Sequence, residues 1–263
     1  MNGNERRTGV VLQERDRHLL RELTVLRVAD RELVKTVAGF GSTTRVNLRL
    51  LALTRAGLLR RFFLGTNGGG SKALYALSAK GAHLVGVPQR GPRRRENETL
   101  AADFFVQHQL AVNEIYAEVR YKALPPGVAF GRWVSFFEPL ATGLRLIPDG
   151  YFELHHPTGT LAAFLEVDLG NEHRKVWAEK VKNYLQLALS GNYERKFSQT
   201  RFRALVLANS ERRVASLRKV VAASTEKIFW FRTLESVHQK GFFAPLWLRP
   251  VGDDKRQLLT PIS

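Results

Sequence analysis

The chain contains no cysteine and a single methionine. Without a thiol there is no disulfide, no zinc–thiolate site and no cysteine nucleophile, and nothing calls for an oxidising compartment. Acidic side chains are scarce beside basic ones, 24 Asp and Glu against 41 Lys and Arg, which leaves a net charge of +17. An excess of that size favours a polyanionic partner, of which nucleic acid is the commonest. No apolar run approaches the roughly 18 residues of a membrane span, and the opening Met-Asn-Gly-Asn-Glu-Arg-Arg lacks the apolar core of a secretion signal. No membrane partner and a cytoplasmic location are therefore expected. What is present is enough apolar material, 44% of 263 residues, to bury a core in each of two modest domains.

The charge is uneven: residues 1–96 hold 19 basic and 7 acidic side chains, and the remainder 22 and 17. The N-terminal third is thus the expected nucleic-acid reader. Its apolar periodicity predicts a helix over 13–27 with Leu19, Leu20, Leu23 and Leu26 inward. A second helix is capped by Asp30 and broken at Gly39 and Gly41, and a third opens at Ser42 with Val46, Leu50 and Leu53 inward. Two strands follow, 58–64 and 72–77, around a glycine-rich tip, then a short helix from Ser78. The cluster Gly-Thr-Asn-Gly-Gly-Gly-Ser-Lys does not match a phosphate-binding loop, because Lys72 lacks both the required glycine spacing and a following Ser or Thr. Residues 88–97, with prolines, glycine and Arg93, Arg94 and Arg95, are composed like a solvated basic linker.

This order of three helices and a hairpin resembles a winged helix-turn-helix over residues 1–87. The resemblance implies that the third helix enters the major groove of DNA through Thr43, Thr44, Arg45, Asn47 and Arg49, and that Arg60, Arg61, Lys72 and the linker arginines contact phosphates. The competing reading of each arginine is a solvated helix face.

Beyond the linker, a helix is expected over 98–122, with Phe104, Ala111, Val112, Ile115 and Val119 on its apolar stripe and His108 as a satisfied core histidine. A strand over 128–137 precedes the hairpin 148–168, in which His-Pro-Thr-Gly supplies the turn. A turn centred on Pro157 and Thr158 sets Asp149 opposite Glu166, within one residue, and Asp168 shares the face of Glu166. Three crowded carboxylates suggest a hard divalent metal, while pairing with Arg145, Arg174 or Lys175 is the bland alternative. Then come a helix over 174–189, a strand over 203–208, a helix over 210–223, a strand over 228–232 and a packed tail containing Phe242, Phe243, Leu246 and Trp247.

With Pro148-Asp149 and Glu166-Val167-Asp168 at these places, residues 98–263 resemble the restriction-endonuclease-like, PD-(D/E)xK fold with its αβββαβ core. The expected fold class is accordingly a two-domain α+β/α/β chain. The resemblance implies that Asp149 and Glu166 hold magnesium or manganese, which activates a water for phosphodiester hydrolysis. Asp168, counted with Asp149 and Glu166 among the catalytic and metal-ligand candidates, stands where that family has its lysine. Lys180, between Trp177 and Tyr184, is the substitute the helix offers; a snorkelling surface lysine is the alternative. Taken with Glu-Val-Asp-Leu-Gly-Asn-Glu, Lys180 and Tyr184, most of the chain is similar to the replication-relaxation family of plasmids and other mobile elements. Two functions stay open: a DNA-binding protein whose second domain does not cut, and a magnesium- or manganese-dependent endonuclease guided by the winged helix. DNA is the expected partner, with a second copy of the chain the other candidate. An RNA-binding module is weaker, since no aromatic stacking motif is present.

Overall fold

The computed structural model describes residues 10–65, 69–92, 98–100 and 103–259. It is a mixed helix and strand protein with two sheets, and its contacts divide it into two compact units, Met1–Ala117 and Glu118–Ser263.

The first unit runs α1 (Glu14–Leu26), β1 (Ala29–Asp30), α2 (Arg31–Val37), α3 (Thr43–Arg55), β2 (Leu59–Gly65), β3 (Ser71–Leu77), α4 (Ala79–Val85), β4 (Thr99–Leu100) and most of α5 (Phe104–Arg120). Side-chain caps set the helix starts: Asp30 accepts the N–H of Leu33 at 2.8 Å, and Ser42 that of Arg45 at 3.4 Å. Strands β2 and β3 pair antiparallel from Leu59↔Leu77 to Gly65↔Ser71. Helix α4 lies so close to them that a Cβ at Gly81 would stand 2.2 Å from the Leu58 carbonyl oxygen, an approach only glycine allows. Leu19, Leu20, Leu23, Val46, Leu50, Leu53, Phe62 and Leu74 are buried beneath.

Helix α5 begins later than its periodicity predicts, because Asp103 accepts the N–H of Val106 at 3.0 Å and residues 99–100 pair instead with β2. Val106, Val112, Ile115 and Val119 form its buried face, whereas Phe104 is exposed and half-buried His108 meets the Phe104 ring at 6.2 Å. The helix packs largely within the first unit rather than opening the second. Asn113 donates to the Leu26 and Val28 carbonyls at 2.8 and 2.7 Å, and the Tyr116 hydroxyl donates to Glu22 at 2.5 Å.

The second unit contains β5 (Ala129–Val134), β6 (Gly150–His156), β7 (Gly159–Asp168), α6 (Arg174–Leu189), α7 (Asn192–Phe197), β8 (Arg203–Ala208), α8 (Glu211–Ala222), β9 (Phe229–Thr233) and α9 (Leu234–Lys240). Its sheet order is β5-β6-β7-β8-β9, antiparallel from β5 to β7 and parallel from β7 to β9. Helices connect the parallel strands, as such crossovers require. Short α7 and α9 carry too few periodic positions to stand out in the sequence. The hairpin pairs His156↔Gly159 through Gly150↔Leu165, so one step further Asp149 faces Glu166. The Trp133 indole lies over Gly150, where a Cβ would stand 2.4 Å away, which leaves no room for a side chain beside Asp149. Tyr151, Phe164, Trp177, Val181, Tyr184, Phe202 and Phe231 belong to the core that backs the hairpin.

Candidate functional site

Alternation along β7 turns Phe164, Glu166 and Asp168 to one face. Helix α6 presents Trp177, Lys180 and Tyr184, three and four residues apart and so on one side of the helix. Glu166 is 1% exposed and both its oxygens are bonded: Oε1 accepts the Tyr184 hydroxyl at 2.6 Å and Oε2 the Lys180 ammonium at 2.8 Å. Lys180 also reaches Glu172 at 2.8 Å and lies 5.1 Å from the centre of the Trp177 ring. The second oxygen of Glu172 is buried without a hydrogen-bond partner. Asp149 accepts the N–H of Val167 at 2.7 Å, a bond that ties the entrance of β6 to the exit of β7.

Burial pushes the Glu166 carboxyl up to about 7, against the opposing pull of Lys180 and with the help of Asp149. On Lys180 burial works the other way, but Glu166, Glu172 and Asp149 together outweigh it and hold the ammonium above its usual range. The ammonium is therefore charged at neutral pH, and burial leaves the carboxylate beside it easier to protonate than an exposed one.

Asp168 serves a different partner. It is 2% exposed, and its carboxylate takes a two-pronged bond from Arg213 of α8 at 2.7 and 2.7 Å, the Trp177 indole N–H at 2.6 Å and the Gly170 N–H at 2.7 Å. Burial raises its pKa, but Arg213, Trp177 and Gly170 overcome that and leave it below the usual carboxylate range. Asp168 is thus engaged by Arg213, and among the described residues no group of three or more His, Asp or Glu is placed to hold a metal ion. Asp149 and Glu166 remain as the facing pair, with the unpartnered Glu172 oxygen one ammonium away. Arg145, Arg174 and Lys175 are exposed; Glu166 pairs instead with Lys180, and Asp168 with Arg213. Sequence reasoning missed Arg213, 45 residues from its partner, and Glu172; the inward placement of Trp177 and Tyr184 was the one available signal.

In the first unit, Thr44, Arg45, Asn47 and Leu48 are exposed on α3, and Thr43 is half-buried at its start. Arg49, expected on the same open face, instead clamps Asp16: its Nε donates to Oδ1 at 2.7 Å, a terminal nitrogen meets Oδ2, and another bond at 2.7 Å reaches the Val11 carbonyl. Lys72 pairs with Asp30, the cap of α2. Arg60 donates to the Pro92 carbonyl at 3.4 Å, and Arg61 lies 5.2 Å from the centre of the Phe63 ring. Arg93, Arg94 and Arg95 lie outside the described residues. Two residues not singled out from the sequence join the open face, Arg15 and Leu48, which with Phe40 and Arg45 line a cavity of about 390 Å³.

Among the described residues no helix is long and apolar enough to cross a membrane. A family model described as replication-relaxation matches residues 20–200. No curated protein and no solved structure matches the chain.

Proposed function

The chain belongs to the replication-relaxation family, which ties it to the replication of plasmids and other mobile elements, and from that premise we propose that it is a DNA-binding protein with a winged-helix reader in its first unit. The observation that carries this reading is the open face of α3, where Thr44, Arg45 and Asn47 stand exposed on a helix whose other side is locked by Val46, Leu50 and Leu53. Arginine and asparagine suit bidentate contacts to guanine and adenine edges, and exposed Leu48 suits a thymine methyl. The two arginines of this helix separate by substitution. Arg45→Ala weakens binding to a preferred duplex about tenfold at unchanged stability, the loss of one good base or phosphate contact. Arg49→Ala instead destabilises the first unit by about 3 kcal/mol, since buried Asp16 keeps the Gln13 N–H but loses the Arg49 counter-charge. Fluorescence anisotropy and urea unfolding on both variants check this; equal loss of affinity at equal stability would remove the division of labour.

A second reading, phosphodiester cleavage by the second unit, is favoured by the Lys180–Glu166 contact, which supplies the ammonium that position 168 lacks. Asp149 and Glu166 would hold a magnesium or manganese ion, whose chemistry is Lewis-acid polarisation of the scissile phosphate. Lys180 would place positive charge where the phosphoryl group becomes more negative. Cleavage of supercoiled DNA with either ion is then lost in Asp149→Ala and Glu166→Ala. In the wild type at limiting ion concentration it rises with pH, because only the ionised Glu166 can bind a cation and burial makes that carboxyl easier to protonate than an exposed one. A flat or falling profile, or no cleavage under any condition with DNA binding intact, excludes this second reading.

A further inference from the structure

At the far end of the second sheet from Glu166 and Asp168 lies a cavity of about 650 Å³, whose lining includes Arg203, Lys227, Trp230, Arg249 and Arg256. Arg203 opens β8, whereas Ala208 at the other end of that strand pairs with Asp168, a separation of roughly 16 Å along an extended chain. Arg203 and Arg249 both sit against the Trp230 indole, at 4.3 and 4.8 Å from its centre. Arg203 donates to the Leu258 carbonyl and Arg249 to the Glu226 carbonyl. Glu226 is the one acidic residue among the described residues of the lining, and it is exposed.

A protein that gathers cations around one indole raises its own electrostatic free energy unless an anion enters. Both burial and the neighbouring guanidinium groups work against the charge of these side chains. Burial and then Arg249 lower the Arg203 guanidinium to about 10, and burial and then Arg256 lower Arg249. Guanidinium forks match phosphate oxygens in pairs, and the volume suits a ligand of nucleotide size.

We propose that this cavity is an anion site that binds the phosphate group of a nucleotide or of a nucleic-acid strand, separate from the carboxylate–lysine site. Arg249 and Arg256 are its principal donors, with Lys227 at the rim and Trp230 as the floor that holds two of the guanidinium groups in place.

The test uses the full chain in an Arg45→Ala background, so that a loss at α3 is not mistaken for a loss here. Inorganic phosphate, AMP and a labelled 20-nucleotide single strand are titrated at constant ionic strength into that background and into the same background carrying Lys227→Gln with Arg256→Gln. Both added substitutions fall on exposed side chains, and they leave the Trp230 stack intact. Affinity for the phosphate-bearing probe falls about tenfold or more, the value of a lost charge-assisted hydrogen bond. The ligand-free melting temperature stays level or rises, because like charges have been removed. Saturable AMP or phosphate binding identifies a mononucleotide source, and binding of the strand alone identifies a nucleic-acid backbone; either supports the site. Equal affinity before and after the substitutions, or a lowered ligand-free melting temperature with affinity unchanged, overturns it. Arg249→Gln serves as a second variant with the same expected loss of affinity.

Discussion

Arg213→Ala lowers the free energy of unfolding at neutral pH by about 3 kcal/mol, the low end of the cost of removing one partner from a buried ion pair. The carboxylate of Asp168 keeps its bonds from Trp177 and Gly170 but loses the Arg213 counter-charge. In the wild type Asp168 titrates below its unfolded value, so its contribution is present above the unfolded carboxylate pKa and is lost as pH falls through the folded one. The deficit of the variant is therefore largest near pH 7 and shrinks on acidification below about pH 4. Urea unfolding at both pH values reads this directly, with Arg212→Ala on the exposed neighbour as a control expected within about 0.5 kcal/mol of wild type. A deficit under about 1 kcal/mol, or one that does not diminish in acid, would show that Asp168 does not depend on Arg213.

This pair also accounts for the departure at position 168. A lysine there would bring its ammonium against the Arg213 guanidinium, a like-charge contact in a buried place. Asp168 with Arg213 and Glu166 with Lys180 thus form two separate buried ion pairs between the sheet and its helices.

If the second unit cleaves DNA, as the second reading proposes, Lys180→Met lowers that cleavage by about 10²–10³-fold, the usual effect of removing one preorganised group that stabilises developing negative charge. Methionine keeps the apolar stem against Trp177, so the packing survives while the ammonium goes. A second readout separates this role from a merely structural one. Lys180 is the nearest charge that opposes burial at Glu166, and without it the Glu166 carboxyl moves further up from about 7. The residual activity then rises at higher pH than in the wild type, and Lys180→Arg, which retains charge, recovers part of the rate and returns the profile toward its original midpoint. Unchanged cleavage in Lys180→Met, or an unshifted profile, assigns the residue to structure alone. If the wild type binds DNA and never cuts, Lys180→Met shows only a stability loss, because Glu166 and Glu172 both lose a partner at 2.8 Å.

Much of the scaffold could be read from local pattern. The turn chemistry of Pro157 and Gly159, with alternation on either side, is sufficient to set Asp149 across from Glu166, since a hairpin register follows from its turn. The apolar spacing of Val46, Leu50 and Leu53 likewise determines which side of α3 is buried, and Trp177 and Tyr184 mark the inward side of α6. The start of α5 was not legible, because Asp103 as cap and the pairing of residues 99–100 with β2 override the helical pattern upstream.

By itself, then, the sequence determined the elements, the faces they bury and the facing of two carboxylates, because these depend on periodicity and turns within a few residues. Only the tertiary structure decided which charges are free. Arg49 meets Asp16 from 33 residues away and Arg213 meets Asp168 from 45. Such pairs are chosen by where packing brings two buried groups together and by the cost of leaving either without a counter-charge, a quantity that no local spacing records.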